Sequence, residues 1–349
     1  MARISGRPEL IKKINKSLIK KIIIEKAPIT KPQLSKILDL SLPTVNKTVD
    51  ELLEEGIVKI HQNTIEVKGS GKKPIFYEIN GDCVTVLVAY FNNNILLIRE
   101  YNLLSEIKNE KRINIENDIT VESFLLHLNE MFSESQNREN ITSISIGIPG
   151  VIENNNCISG AYTLKNFNGI NLRKIIEEKF KVKAAVENDV NLIAMGILGK
   201  LNPNIENLVY LFLGKGIGTG IIINNKLYKG KSNFAGEIGE ISLPNEESIE
   251  DKYKSAVKNN DKEKIRKIIN FILAINISLL NPDVIIINSS IFKLRQSLLN
   301  EIYIKLKEKF GEHNTPEIYL DEKDTENGVD GALKMAFLKD NNDLNIVGK

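Results

Sequence analysis

The apolar positions of this chain fall into two regimes. Over the first sixty residues they recur at helical spacing: Ile11, Ile14, Leu18, Ile22 and Ile23, then Leu34, Ile37 and Leu38, then Val45, Val49, Leu52 and Leu53. Three close-set helices are predicted. The first runs to about Glu25, the second is capped by Thr30 with Pro32 in its first turn, and the third is capped by Ser41 and ends at Glu55-Gly56. The period then changes. Gly56-Ile57-Val58-Lys59-Ile60 and Ile75-Phe76-Tyr77-Glu78-Ile79 are strand-like, joined by a polar segment holding Gly69-Ser70-Gly71-Lys72-Lys73-Pro74.

Past residue 80, short apolar runs alternate with helical patterns. Residues 83–90 and 95–99 predict a hairpin around Phe91-Asn92-Asn93-Asn94, followed by a helix from about Thr120 to Glu134 and a buried strand over 141–148 that closes in Pro149-Gly150. A helix at 172–180 and Ala184-Ala185-Val186 lead to Glu187-Asn188-Asp189, which opens a helix from Val190 to Leu198. A second lobe starts near Asn207: the run 208–213, the turn GKGIGTG at 214–220, the run 221–223 and a hairpin at Asn224-Asn225. The charged stretch 245–264 reads as a solvated helix and loop. A helix at 265–280, the break Asn281-Pro282-Asp283, a strand at 284–287 and a helix at 328–337 follow, with a frayed Asn/Asp tail beyond Lys339. No internal repeat is evident. Alternating strands and helices indicate an α/β body, and the expected domains are 1–80, 81–200 and 201–349, the last helix able to pack back on the first lobe.

Composition narrows the class. With 349 residues, 42% hydrophobic and 26% charged, the chain is globular in character, and no apolar run is long enough for a membrane helix, so a cytoplasmic protein is expected. Only Cys83 and Cys157, with His61, His127 and His313, are present, which leaves no disulfide framework and no Cys-based zinc site. The net charge of +2 is unevenly spread: residues 1–80 hold 15 Lys/Arg against nine Asp/Glu, a net of +6, leaving −4 for the remainder. Positive charge at one end suits a polyanionic partner, although a solvated Lys-rich face would look the same.

Two sets of residues are candidates for chemistry. In a helix-turn-helix, Pro43, Thr44, Asn46, Lys47 and Thr48 face the major groove, and the strand pair adds a wing whose tip carries Lys72 and Lys73. A plain three-helix bundle shares the apolar pattern but not the wing. In the larger body, Asp189 at a strand-to-helix junction can accept a proton from a sugar hydroxyl while Asn188 holds neighbouring hydroxyls; alternatively both only cap the next helix. Glu237 and Glu240 follow a Gly-rich turn and can add carboxylate contacts. Gly214, Lys215, Gly216, Gly218 and Gly220 form a phosphate-loop outline.

The chain resembles the ROK family of bacterial sugar kinases and sugar-responsive repressors, in its repressor branch with an amino-terminal winged helix, typified by xylose, glucose and N-acetylglucosamine repressors. The resemblance rests on ITKPQLSKILDLSLPTVNKTVDELLEEGIV (29–58) with GSGKKP (69–74), SIGIPGVI (145–152), VENDVNLIAMG (186–196), LGKGIGTGIIINNKLYKGKSNFAGEIGE (213–240) and LNPDVIII (280–287). It implies a winged helix-turn-helix followed by a two-lobed actin-like, ribonuclease H-like domain of sugar-kinase type. It also implies that Asp189 matches the kinase base, Asn188 and Glu237 match sugar-holding residues, and Asn166 lies in a loop that closes on the sugar.

Departures from the family pattern point away from catalysis. Ala89-Tyr90-Phe91-Asn92-Asn93-Asn94 replaces the nucleotide signature Asp-x-Gly-Gly-Thr, Lys215 replaces a threonine, and Ser289-Ser290 replaces a glycine pair. Glu240 stands where zinc-binding members have His, and no cysteine follows Cys157, so neither metal nor cofactor is expected. The glycine turn then reads as a vestigial phosphate loop, with the Lys215 amine still open to an anion such as a phosphorylated sugar. The expected protein is a homodimeric transcriptional regulator, a repressor of carbohydrate genes that binds palindromic operator DNA and a carbohydrate effector. The alternatives are an ATP-dependent sugar kinase with an added DNA-binding domain, or a constitutive DNA-binding dimer whose large domain only oligomerises.

Overall fold

A computed structural model describes residues 8–62, 73–92, 94–115, 119–242 and 244–339. Lys72 and the wing-tip glycines Gly69 and Gly71, together with Asn93, Leu243 and the tail beyond Lys339, lie outside the described residues.

The amino-terminal unit has the three helices α1 (Pro8–Lys26), α2 (Lys31–Leu38) and α3 (Leu42–Glu54) and the strands β1 (Val58–Ile60) and β2 (Tyr77–Ile79). Local chemistry fixes the turn between the helices. The Thr30 hydroxyl accepts the Gln33 N–H while the Gln33 side chain accepts the Thr30 N–H, a reciprocal cap that starts α2. Asp39, in the left-handed region at φ 51°, ends α2, and the Ser41 hydroxyl accepts the Thr44 N–H at 3.3 Å to start α3. Ile19, Ile23, Leu34, Val45, Val49 and Leu52 meet in a dry core. β1 and β2 pair antiparallel, Val58 opposite Ile79 and Ile60 opposite Tyr77, forming the base of a wing.

The remaining body contains two five-stranded sheets. The first is ordered β5-β4-β3-β6-β9, from β3 (Thr85–Asn92), β4 (Ile95–Asn102), β5 (Ile107–Asn114), β6 (Ile141–Ile148) and β9 (Lys183–Asn188). Between these lie α4 (Val121–Glu134), the short pair β7 (Val151–Ile152) and β8 (Ile158–Ser159), and α5 (Leu172–Phe180). After β9 comes α6 (Asp189–Leu198). The second sheet is ordered β12-β11-β10-β13-β14, from β10 (Leu208–Leu213), β11 (Ile217–Ile223), β12 (Lys226–Leu227), β13 (Val284–Ser289) and β14 (Glu317–Leu320). Helices α7 (Ile249–Lys258), α8 (Lys262–Leu280) and α9 (Gln296–Phe310) accompany it, and α10 (Asp324–Lys339) ends the described chain. In each sheet the first three strands run antiparallel and two more add in parallel beside the first. The two lobes therefore share a topology that no repeat of residues announces.

The helices are exchanged between lobes. α6 follows the first sheet but lays Val190, Ile193, Ala194 and Ile197 on Leu208, Tyr210, Ile222 and Ile286 of the second. α10 follows the second sheet but packs Val329, Ala332 and Ala336 against Val86, Val88 and Tyr90 of the first. The two helices cross so closely that a Cβ on Gly196 would lie 1.8 Å from the Asn327 carbonyl oxygen, and one on Gly331 1.9 Å from that of Leu192. Glycine is required there for close approach of backbones. The cleft between the lobes opens where β9 turns into α6, at the ends of parallel strands, where polar sites in α/β folds form.

Several elements differ from the pattern reading. β5 is an edge strand carrying Lys108, Glu110 and Arg112 between exposed or half-exposed neighbours, so it lacks a buried alternation. The charged stretch 245–264 is not merely solvated. It contains α7, which buries Ile249, Tyr253 and Ala256 under a Ser248 cap. No helix among the described residues is long and apolar enough to cross a membrane.

Candidate functional site

The first candidate surface is the amino-terminal half of α3. Pro43 and Lys47 are exposed and Thr44 and Asn46 half-exposed, all on the side away from Val45, Val49 and Leu52. The acids further along the helix are neutralised by neighbouring helices: Glu51 by Lys12 at 2.9 Å, Glu55 by Lys16 at 2.5 Å, and Asp50 by Lys31. The helix thus presents Asn46 and Lys47 to solvent while Asp50 and Glu51, and Glu55 just beyond its end, are held by lysines, which reduces repulsion of a phosphate backbone. Lys73, also exposed, stands at the described edge of the wing. Thr48 is a correction. It is only 4% exposed and lies one turn from Val45 and Leu52 on the face turned into the core, so little of its side chain is left for a groove.

The second candidate is the interlobe cleft, a cavity of about 460 Å³. Its lining brings together Asn188, Asp189, Glu237, Glu240, Lys215, Gly216 and Gly218 from the residues expected by sequence. Asn188 caps α6, its carbonyl oxygen accepting the Asn191 N–H at 3.1 Å and its amide donating to the Gly150 carbonyl at 2.9 Å. One lone pair and one N–H remain for a ligand. The Asp189 carboxylate accepts the Val190 N–H at 2.9 Å. Burial, opposed by this bond, pushes Asp189 up to about 6. Glu237 rises to about 7, first by burial and then by the charges of Glu240, Asp189 and Glu250. A half-protonated carboxyl facing a cavity is suited to exchanging hydrogen bonds with hydroxyls.

Three expected positions, Asn166, Gly214 and Gly220, lie elsewhere. Asn166 is not among the cleft-lining residues; its amide points to the Ile119 carbonyl at 3.5 Å, beside α4, while Tyr162 and Thr163 of the same loop line the cleft. The glycine turn divides by role. A Cβ on Gly220 would lie 2.7 Å from both Ala194 Cβ and the Val190 oxygen, so Gly220 serves the packing of β11 on α6. A Cβ on Gly214 would meet the Phe212 ring at 2.4 Å. Cβ atoms on Gly216 and Gly218 would make only ordinary van der Waals contacts, at 3.6 Å from the Glu250 carboxylate and 3.8 Å from Val190.

The contacts of other residues in and around the cleft were not foreseen from the sequence. Glu187, 5% exposed, receives the Lys229 ammonium at 3.0 Å, the Asn191 amide at 3.0 Å and the Asn188 N–H at 3.0 Å. With Asn233 donating to the Ile152 carbonyl at 2.8 Å and Asn154 to the Lys231 carbonyl at 3.0 Å, this bond straps segment 229–233 of the second lobe across the first. The Tyr90 ring fills the floor: Cβ atoms on Gly147 and Gly328 would lie 2.4 and 2.2 Å from it. Its hydroxyl donates to the Asp189 carbonyl at 3.5 Å, and Asn92 donates to the Thr325 hydroxyl. Glu250, on α7, accepts the Ile217 N–H of the glycine turn at 2.8 Å and pairs with Lys254. The Ser248 cap and the 249/253/256 apolar spacing were legible, but the reach of Glu250 into a turn 33 residues away was not. Among the described residues, no group of three or more His, Cys, Asp and Glu is placed to hold a metal ion.

Comparison with known proteins agrees with this architecture. The ROK family profile matches residues 100–260, and a winged helix-turn-helix DNA-binding profile matches residues 12–59. The xylose repressor of Caldicellulosiruptor bescii is 32% identical over 248 residues, covering 68% of this chain and 61% of the relative. The xylose repressor of Bacillus subtilis is 29% identical, covering 67% and 61%, and the N-acetylglucosamine repressor of Escherichia coli is 24% identical, covering 68% and 59%. The chain therefore spans about three fifths of the length of the curated relatives it matches. Among solved structures, a ROK family transcriptional regulator homologous to the E. coli MLC protein superposes with a TM-score of 0.64 at 19% identity, covering 93% of this chain and 98% of that one. A ROK hexokinase from Thermus thermophilus gives 0.59 at 16% identity, covering 73% and 98%. The chain belongs to the ROK family of sugar kinases and repressors, with a winged helix-turn-helix at its amino end.

Proposed function

We propose that this protein is a DNA-binding transcriptional regulator, a repressor of carbohydrate genes whose operator affinity is set by a sugar held in the interlobe cleft. One observation carries the reading: an exposed recognition surface at Pro43, Thr44, Asn46 and Lys47 shares a continuous apolar core with a two-lobed body whose cleft gathers Asn188, Asp189, Glu237 and Glu240. The wing lysines Lys72 and Lys73 add phosphate contacts. The chain acts as a homodimer on a palindromic operator, because one recognition helix reads few bases and two read half-sites about 34–36 Å apart. The relatives named as xylose and N-acetylglucosamine repressors support a carbohydrate effector.

The competing reading is an ATP-dependent sugar kinase, favoured by the raised Asp189 carboxyl, which suits a general base. Against it stand the Tyr90 ring, packed against Gly147 and Gly328 in the floor of the cleft, and the Glu250 carboxylate, which already holds the Ile217 N–H beside the glycine turn. Fluorescence anisotropy with DNA from the flanking genomic region, titrated against salt, tests the regulator reading. Sequence-preferring binding that weakens steeply with salt is expected; equal affinity for unrelated duplexes, or phosphate transfer from ATP abolished by Asp189→Asn, contradicts it.

A further inference from the structure

The glycine segment 214–220, in which only 214–216 turn and Ile217 already begins β11, is not an open anion cradle in this fold. The Glu250 carboxylate accepts the Ile217 N–H at 2.8 Å, and the same oxygen lies 3.6 and 3.1 Å from where Cβ atoms on Gly216 and Gly239 would stand. The chain's own carboxylate thus sits in the concavity that those glycines open. It is firmly placed: Ser248 caps α7, Ile249, Tyr253 and Ala256 anchor that helix in the core, and the other carboxylate oxygen is held by Lys254 one turn on. A backbone N–H in a glycine turn is a ready donor for an anionic oxygen. Here that donor is already used, and the site carries the negative charge a phosphate would otherwise bring.

The rest of the lining points the same way. Asp189, Glu237 and Glu240 face the same cavity, and the cation among the lining residues is Lys215, whose side chain is exposed to solvent. A dianion placed there would meet unfavourable charge on several sides at low effective dielectric. We infer that Glu250 is a specificity-determining residue that occupies the glycine turn and excludes phosphate, so that the cleft takes a neutral, unphosphorylated sugar. The ligand class rests on the sugar-effector reading above; the role of Glu250 in excluding phosphate does not.

Isothermal titration calorimetry and thermal shift on the full chain test this. The probes are xylose and glucose, glucose 6-phosphate and inorganic phosphate, applied to the native protein and to Glu250→Ala and Glu250→Gln. The native protein is expected to bind a neutral sugar at least tenfold more tightly than glucose 6-phosphate and to show no thermal shift with inorganic phosphate. Glu250→Ala is expected to gain a phosphate-dependent shift and to narrow that ratio at least tenfold. Glu250→Gln retains an acceptor for the Ile217 N–H, keeps the turn folded, and gains phosphate affinity in the same direction to a smaller extent. Unchanged circular dichroism and operator binding in either variant certify the fold. The inference is overturned if the native protein binds phosphate as tightly as the variants, or if folded variants gain no phosphate affinity. A variant that gains phosphate affinity while no neutral sugar binds any form overturns the ligand class alone and leaves the role of Glu250 standing.

Discussion

At the scale of single residues, the cleft is defined by carboxyl groups held above their ordinary range. Asp189 at about 6 and Glu237 at about 7 bind protons more tightly in the folded chain than in the unfolded one. Their favourable contribution is complete below about pH 4 and is lost as the pH rises through about 6 and about 7, so in this window stability falls with rising pH. A sugar whose hydroxyls donate to these carboxylates favours their charged form. Binding is therefore expected to release protons, seen as a buffer-dependent calorimetric enthalpy, and to tighten between about pH 5.5 and about pH 8. Glu237→Gln should weaken the sugar about tenfold to hundredfold, the worth of one charge-assisted hydrogen bond, and flatten that pH profile. Asn46 and Thr48 make a second contrast. Asn46→Ala should relax operator preference, whereas Thr48→Val, on the buried face, should leave it unchanged; loss of preference in Thr48→Val would show that the helix docks with its other side. Thr48 shows where the sequence was legible and where it was not. Its spacing from Val45 and Leu52 already placed it inside, but a small polar residue beside Lys47 reads equally well as a DNA contact.

At the scale of elements, the pattern of apolar residues revealed those helices and strands that bury one face. Caps at Thr30 and Ser41 marked helix starts correctly, and Thr120, expected near a helix start, also caps one, because a hydroxyl accepting an N–H three residues on is a local interaction. β5 was illegible because an edge strand with charged side chains carries no buried alternation, and the helix expected within 245–264 was read as solvated because charges surround the three residues that α7 buries. The exchange of α6 and α10 between lobes is a tertiary fact without a local signal. Only the glycines hint at it. Gly196→Ala drives a methyl to within 1.8 Å of the Asn327 backbone oxygen, so it should lower the melting temperature by forcing α6 and α10 apart, a cost of about 1–3 kcal/mol or more for overpacking. Gly160→Ala, where nothing lies within 4 Å of the added carbon but φ is 64°, provides a comparison in which only local backbone strain is introduced.

At the scale of the whole molecule, the account links two distant surfaces through shared packing. The winged-helix core is continuous with the face of the first sheet that α10 covers, and α10 crosses α6, whose first turn carries Asp189 into the cleft. The straps from Lys229, Asn233 and Asn154 join the lobes beside that cleft. A ligand that changes how the lobes close can bias this chain of contacts, and any sugar that lowers operator affinity must itself bind less tightly to the operator complex, by the same factor. The resemblance of the motifs to ROK members made the family legible from sequence. The identity of the strapping and plugging residues, Glu187, Lys229 and Glu250, was not, since each acts through a partner far away in the chain. The most direct measurement is operator-binding anisotropy on this 349-residue chain at fixed salt, with and without a panel of neutral sugars. The account predicts sequence-preferring binding that at least one sugar weakens about fivefold or more, with the response lost in Asp189→Asn while operator binding itself persists. Operator affinity indifferent to every sugar that measurably binds the cleft would contradict it.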